Sequence, residues 1–498
     1  MSIVLSRRAV VRGAVATLGL AGIGALAGCG GAVATTTSQP ATASAATTSG
    51  ASTATTRALT TALSASTSTA VAGSAATSIA TTPVASTSGT VATKGVQLVY
   101  LSPDDQGGAR HKLEAAIFAD FSKAHPDITV ELAAGSGNWT LVEQKLKTSI
   151  ASGSPVNLYQ NGWGSWGDVQ SALMELSRLF ARDKLDPKQV FALPAIDTFT
   201  DASGKIWAVP VVGVSQDALA YNKDLFATAG LQPPPLDPTD ASWTTDKFLQ
   251  YAQKLTNADK LQFGFGGSLA GFDTGGITRG TYFDQGPWDD RAQKAQLGSA
   301  GQMQGLQFFK DLRDRYKVQP DATQVKSIGA KGDVFTSGKI GMQVVYGYLL
   351  KQPFNWGLAA MPHTGSQNMS GRQYAQSIQG TKTPAAAQTW TLFQWLMQPA
   401  NAARFPLTGN YAVSPVNGAS ALAQQTYQEK VGVDPKAFVL MSQYSHVSAW
   451  GMLKYPGWPT VNTWLVKNFP VFDQGKQTAA DYGRAASDFI NTNLVKGS

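Results

Sequence analysis

Gly162-Trp163-Gly164-Ser165-Trp166-Gly167 is the stretch of this chain that comes nearest to a reactive motif. It approaches the G-x-S-x-G nucleophile elbow, but Trp163 holds the place of the first glycine, and an indole there obstructs the strained turn that exposes a nucleophilic serine. No G-x-x-x-x-G-K-[S/T] run cradles a phosphate, and there is no H-E-x-x-H. The four histidines, His111, His125, His363 and His446, show no ligand-pair spacing. Cys29 is the only cysteine, which excludes an internal disulfide framework and any multi-cysteine zinc or iron–sulfur site. The sequence thus implies no metal, no cofactor and no legible catalytic centre, although dispersed Asp and Glu leave a carboxylate pair untested.

Aromatic residues in polar loops give the stronger signal. Gln160, Asn161, Trp163 and Trp166 follow a strand-like segment, amid glycines that let a ligand approach the backbone. The apolar C–H faces of sugar rings suit flat indoles, and rim hydroxyls need paired donors and acceptors such as Gln, Asn and Asp. The competing reading is that these tryptophans plug the core; two of them in one such loop favour a ligand role.

The elements that position this loop follow from periodicity. Gln97–Leu101 reads as a strand, broken by Ser102-Pro103-Asp104-Asp105. Leu113, Ile117 and Phe121, with Ala116 and Ala124 beside them, lie on one helical face. Ile128, Val130 and Leu132 alternate as a second strand after Pro126, and a helix over Leu141–Ala151 leads to a strand at Leu158–Tyr159. The order β-α-β-α-β is that of an open α/β sheet, whose ligands sit beyond the carboxyl ends of the strands. The loops after Leu101 and Tyr159 occupy that place.

The chain has 498 residues and a formal net charge of +8, enough length for two or three domains. Arg7, Arg8, Arg12, Arg57 and Lys94 are the charged residues of 1–94, so residues 95–498 carry only +3. A nearly neutral body lacks the dense basic face that nucleic-acid binding needs. Arg7, Arg8 and Arg12 precede the short apolar run Ala14–Leu26, a targeting pattern too short to span a bilayer as a mature helix. Ser6-Arg7-Arg8 looks like a twin-arginine export signal, and Leu26-Ala27-Gly28-Cys29 resembles the bacterial lipobox, in which cleavage leaves Cys29 to be acylated. Residues 1–28 are then a signal peptide. Residues 30–94 hold no aromatic or acidic residue and are dominated by Ser, Thr, Ala, Gly and Val, so 29–94 is expected to be a lipidated, disordered tether.

The segment Phe121-Ser-Lys-Ala-His-Pro-Asp-Ile-Thr-Val130 resembles the F-x-K-x-H-P-x-I-x-V opening of the family 1 extracellular solute-binding proteins of ABC importers. Gly204-Lys-Ile-Trp-Ala-Val-Pro210, then Tyr221-Asn-Lys-Asp-Leu-Phe226 and Ala229-Gly-Leu231, are similar to that family's most recognisable stretch. Trp243 before a helix with Phe248, Tyr251 and Leu255, Phe335-Thr-Ser-Gly-Lys-Ile-Gly-Met342 and Trp356-Gly-Leu-Ala-Ala-Met-Pro362 follow in the family's order. The likeness spans about 120–490. Departures occur at Pro155-Val156-Asn157, at Gly341-Met342, and at Tyr346-Gly347-Tyr348, where the family commonly has Pro-Asp, Ala-Met and Gly-x-Trp.

The resemblance implies an α/β fold of two lobes, the two-lobe periplasmic-binding-protein fold with a central cleft and a hinge. By analogy with maltose-binding relatives, lobe one is expected over 95–214 and 358–400, and lobe two over 215–357 and 401–498. Ser102, Asp104 and Asp105 fall where family members place hydroxyl-binding groups, although Asp there also suits a helix N-cap. Tyr346 and Tyr348 fall near the family's stacking aromatic, Trp450 and Trp458 would close the cleft from lobe two, and Phe272 and Tyr374 are further candidates. Ser215 and Gln216 lie at the expected first crossing, facing hinge or ligand. The implied protein is a monomeric, non-enzymatic lipoprotein on the outer face of the cell membrane, which passes a mono- or oligosaccharide to the membrane subunits of an ABC permease. The alternatives are a surface-anchored polysaccharide-active enzyme and a binder of a charged solute, a polyamine or a phosphorylated polyol.

Overall fold

Strand β1 (Val96–Ser102) turns Leu98 and Tyr100 into a core that helix α1 (Ala109–Ala124) covers with Ile117, Phe118 and Phe121. Tyr100 meets Phe118 edge-on at 5.0 Å, and Phe118 meets Phe405 at 5.9 Å. The expected helical face is rotated by one residue. Leu113 is 38% exposed, Ala116 and Ala124 are exposed, and Glu114 takes the buried position one turn before Phe118. A 3.6-residue repeat puts 114, 117, 118 and 121 on one face, so packing of two adjacent aromatic or aliphatic residues fixed the rotation. The computed structural model describes residues 95–494, apart from 105, 136, 138, 162–165, 193–194, 268–275, 284–285, 330–332, 347–350, 365–366, 369–372, 410 and 445–450. All of these described residues fall in the unit Ser88–Ser498.

From α1 the chain continues through β2 (Ile128–Ala134), α2 (Trp139–Ala151), β3 (Leu158–Asn161) and β4 (Val209–Gln216). Next come β5 (Ala218–Asn222), β6 (Phe263–Phe265), the ribbon β7 (Trp288–Asp289) and β8 (Lys294–Ala295), and β9 (Ile340–Val345). β10 (Trp356–Ala359), the ribbon β11 (His363–Thr364) and β12 (Gln367–Asn368), and β13 (Gln373–Gly380) complete the strands. The first sheet has the order β2-β1-β3-β13-β4, with β1 parallel to β2 and β3, and β13 antiparallel to β3 and β4. The second has the order β10-β5-β9-β6, with only β6 and β9 parallel.

β4 passes almost directly into β5, so one extended segment leaves the first sheet at Gln216 and enters the second at Ala218. Ser215 and Gln216 therefore belong to the first sheet, two residues beyond the expected end of its first segment. β10 pairs with β5, so the chain returns after Ala359, later than the expected 358. Ala402, Ala403 and Phe405 pack in the core beneath the first sheet although 401 was expected to open the other lobe. The reason is common to all three: each short stretch follows the sheet that satisfies its backbone and apolar side chains, which hydrophobicity alone does not encode. The helices Trp458–Asp473 and Ala479–Asn493 share an apolar core with Leu101, Tyr159, Trp166, Leu297 and Leu306. Among the described residues no helix is long and apolar enough to cross a membrane.

Candidate functional site

The carboxyl ends of β1, β2 and β3 converge, and the loops after them build a groove and, behind it, a small cavity. After β1, the Ser102 hydroxyl turns inward and donates to Glu114 Oε2 at 2.6 Å. Asp104 accepts from the backbone N–H groups of Arg110 and His111 at 3.0 and 3.2 Å, so its carboxylate caps the first turn of α1. A β-carbon at Gly108 would lie 2.3 Å from that carboxylate, so a larger residue there would require the Asp104 side chain to shift. The backbone carbonyl of Asp104 also accepts from Gly135 N–H at 3.0 Å and ties the loops after β1 and β2 together. Gly108 holds the N-cap position, and Asp104 serves the α1 N-terminus from four residues before it.

The groove, about 310 Å³, is lined by Pro103, Asp104, Arg110, Gly137, Trp139 and Thr408. Arg110 donates from Nε to the Thr408 carbonyl at 3.0 Å, and its guanidinium carbon lies 5.9 Å from the centre of the Trp139 ring, at the reach of a cation–π contact. Trp139 is half-buried. Its other side borders a cavity of about 20 Å³ whose walls include Glu143, Tyr159, Gln160, Asn161 and Trp166. That volume suits one water molecule. Burial raises the Glu143 carboxyl, with Lys147 pulling it back. Trp166 is 1% exposed, its ring 6.5 Å from that of Trp207, and its buried Nε1–H meets no partner among the described residues.

A row of buried carboxamides crosses the sheet beside the cavity. Gln160 Nε2 donates to Gln376 Oε1 at 2.9 Å, and Gln376 Nε2 donates to the Tyr411 hydroxyl. Asn161 Nδ2 donates to Gln379 Oε1 at 3.0 Å, where the Tyr159 hydroxyl also donates. At the crossing between the sheets, Ser215 Oγ donates to the Tyr346 carbonyl at 3.0 Å. Gln216 Nε2 donates to the Asp217 carbonyl at 3.1 Å, and the Tyr282 hydroxyl donates to Asp217 Oδ2 at 2.7 Å.

The structure therefore gathers Gln160, Asn161 and Trp166 at one cavity, with Ser102 and Asp104 next to it, and Ser215, Gln216 and Tyr346 at the crossing. Tyr374 lies in β13 opposite Ser215. Trp458, 3% exposed, begins its helix inside the same apolar core as Trp166. Cys29, Asp105, Trp163, Phe272, Tyr348 and Trp450 lie outside the described residues. Trp139, Arg110, Glu114, Gln376 and Asp217 were not anticipated. Gly135-Ser-Gly-Asn-Trp139 carries the same signal as the glycine-flanked Trp163, a tryptophan in a small-residue loop at a strand's carboxyl end, and would have led to it. Among the described residues no three His, Cys, Asp or Glu side chains come together as a metal site would require.

Residues 106–403 match the family model described as bacterial extracellular solute-binding protein. A Brucella abortus (strain 2308) protein described as a binding protein is 27% identical over 319 residues, which cover 60% of this chain and 71% of that one. Similar solved structures include an ABC substrate-binding protein of Listeria monocytogenes in complex with cycloalternan, at TM-score 0.64 and 20% identity, covering 80% of this chain and 98% of that one. The sugar-binding protein MalE of Xanthomonas citri superposes at TM-score 0.63 with 20% identity, over 80% of this chain and 97% of that one. The cyclic alpha-maltosyl-1,6-maltose binding protein of Arthrobacter globiformis gives TM-score 0.62 and 18% identity, over 80% and 98%. At these identities the likeness is one of fold: two lobes of mixed helix and sheet.

Proposed function

The chain belongs to the bacterial extracellular solute-binding protein family, and from that premise we propose that it captures a neutral polyhydroxylated solute, a mono- or oligosaccharide, for an ABC importer. The observation that carries the solute class is the row of neutral carboxamides, with a serine hydroxyl, that lies beside the Asp217 carboxylate at the crossing. Gln160, Asn161, Ser215, Gln216, Gln376 and Gln379 are all under 5% exposed, and among the described residues no Lys or Arg side chain is buried with them. A carboxamide offers both donors and acceptors, as a sugar hydroxyl does, so each pair in the row can exchange a partner for a hydroxyl without leaving an orphan. Trp139 supplies a flat face at the open groove. Asp104 accepts from two backbone N–H groups of α1, which commits part of its carboxylate to the helix. The similarity in fold to the proteins described as binding cycloalternan and cyclic alpha-maltosyl-1,6-maltose supports the same solute class.

The protein works by closure. Each lobe offers part of the site, and only the closed form makes every contact, so the solute shifts the population toward it. The closed monomer is then presented to a membrane permease, and this chain itself catalyses nothing. A thermal-shift panel tests the reading, because a ligand bound only by the native state adds about 2.7 kcal/mol of stability at a hundredfold excess over Kd. Neutral mono- and oligosaccharides are expected to raise Tm. A rise produced only by polyamines or phosphorylated polyols would replace the solute class, and turnover of a polysaccharide would replace the binding role.

We also propose that the mature chain begins at an acylated Cys29, with the segment to 94 as its tether. Two or more acyl chains hold a protein at a bilayer stably, whereas one binds reversibly. Cys29→Ser is expected to move the protein from the membrane fraction to the soluble one. Equal membrane partitioning of Cys29→Ser and wild type would dismiss the anchor.

A further inference from the structure

We propose that Glu114 carries a proton in the folded protein up to near-neutral pH and, in that form, acting through Tyr100, fixes the donor–acceptor direction of the Gln160–Gln376 pair, making it a positioning residue for the solute site. The proposal rests on the reading of that row as the solute's polar lining.

The argument is one of proton count. Glu114 is 0% exposed and sits on α1 among Ile117, Phe118 and Phe121, where any ordinary helix would place a hydrocarbon. Its Oε2 accepts from Ser102 Oγ at 2.6 Å, and its Oε1 lies 3.3 Å from the Tyr100 hydroxyl. That same hydroxyl lies 3.3 Å from Gln160 Oε1. A phenol has one proton and here faces two acceptors. With Glu114 ionised, the carboxylate takes the phenol proton and Gln160 Oε1 loses that donor. With Glu114 protonated at Oε1, every group is used once: Glu114 donates to the Tyr100 oxygen, Tyr100 to Gln160 Oε1, Gln160 Nε2 to Gln376 Oε1, and Gln376 Nε2 to Tyr411. The chain runs head to tail from α1 to the cavity wall, and hydrogen bonds aligned in this way reinforce one another.

The charged surroundings do not rescue an ionised form. Arg110, on the same helix, spends its Nε–H on the Thr408 carbonyl, and Asp104 in the loop after β1 adds a like charge. Tyr100 on β1 and Tyr411 beside β4 titrate far above neutrality in ordinary settings. Glu131, on β2, is exposed, and Arg404 is paired with Asp120 at 2.9 Å, toward the other end of α1. The helix Ala386–Leu396, which also packs on β1, has no charged residue. Burial accordingly pushes the Glu114 carboxyl from 4.5 up to about 7, against the pull of Ser102, Arg110 and Tyr100. The folded state keeps a proton that the unfolded chain releases above 4.5, so this contribution to stability is complete below 4.5 and is lost as pH rises through 7.

The test uses the ligand-free protein, so its outcome is independent of whether the solute is a sugar. The side-chain amide ¹⁵N–¹H resonances of Gln160 and Gln376 are followed from pH 5 to 9 in wild type, Glu114→Gln and Tyr100→Phe, with Tm measured alongside. In wild type both resonances are expected to titrate together near neutrality while Tm falls by a few degrees across the same interval. In Glu114→Gln the titration vanishes and Tm flattens, because the amide is neutral at every pH. Tyr100→Phe keeps the ring against Phe118 but removes the relay, so the amides stop responding while Glu114 still titrates; it carries the test if Glu114→Gln does not fold. Amides indifferent to pH in wild type, or titrating equally in Glu114→Gln, would overturn the proposal.

Discussion

Trp166→Ala is expected to cost about 3–5 kcal/mol of folding stability, the range for deleting a fully buried large aromatic side chain. The residue is 1% exposed and shares a core with Tyr159, Val169, Trp207, Leu453 and Tyr455. Its neighbour Gly167 leaves no room for a β-carbon, which would lie 2.4 Å from the Lys454 carbonyl. Gly167 therefore packs closely on the backbone of Lys454 and Tyr455, and the Trp166 indole shares a core with Leu453 and Tyr455. The cost comes from lost burial and from the cavity left behind. Trp166→Phe should cost less, since a phenyl ring keeps much of the buried volume and leaves a smaller cavity. Urea unfolding of the two variants reads both effects. A Trp166→Ala protein of near wild-type stability would put the indole in a solute site and not in the core.

That distinction marks where sequence reading reaches its end. The β-α-β-α-β opening was legible because its signals are local: Ile128, Val130 and Leu132 alternate, and Pro126 separates them from the helix before. Rotation of α1 was not legible, because Leu113 and Glu114 differ by one residue and only contacts with Tyr100 and Ser102 decide which is inside. The same holds for Trp166. Its glycine-rich setting looks alike whether an indole faces a ligand or a core, and the residues that enclose it, Leu453 and Tyr455, arrive almost three hundred positions later. The carboxamide row is harder still. Gln373-Tyr-Ala-Gln-Ser-Ile-Gln-Gly380 is too polar to read as a central strand, yet β13 sits between β3 and β4 with Gln376, Ser377 and Gln379 buried. Its glutamines find Gln160 and Asn161 across a sequence separation of more than 200 residues. A pattern that local hydrophobicity contradicts is expected at a functional site, where a fold accepts buried polarity for the sake of a ligand.

Trp139→Ala is expected to weaken solute binding by roughly ten- to a thousandfold, the loss that follows removal of a central aromatic contact worth a few kcal/mol. Three features separate this indole from Trp166. It is half-buried, not enclosed. It borders both the groove of about 310 Å³ and the small cavity beside Gln160 and Asn161. It opens α2 and lines the groove together with Pro103, Arg110 and Gly137. Arg110 near its ring adds a hydrogen-bond donor beside the stacking face, the pairing of flat surface and polar rim that carbohydrate recognition demands. Folding should tolerate the change, since a side chain already in contact with water loses less burial on truncation; a stability loss of about 1 kcal/mol, typical of single substitutions, is the expectation. Trp139→Phe should keep much of the affinity, because a smaller ring still presents a flat apolar face. Calorimetric titration with whichever saccharide raises Tm, run beside urea unfolding on the same samples, separates the quantities: Trp139→Ala moves affinity and Trp166→Ala moves stability. Wild-type affinity in Trp139→Ala would take the groove after β1 and β2 out of the solute site and leave the carboxamide row, with its proton on Glu114, as the part of the site to pursue.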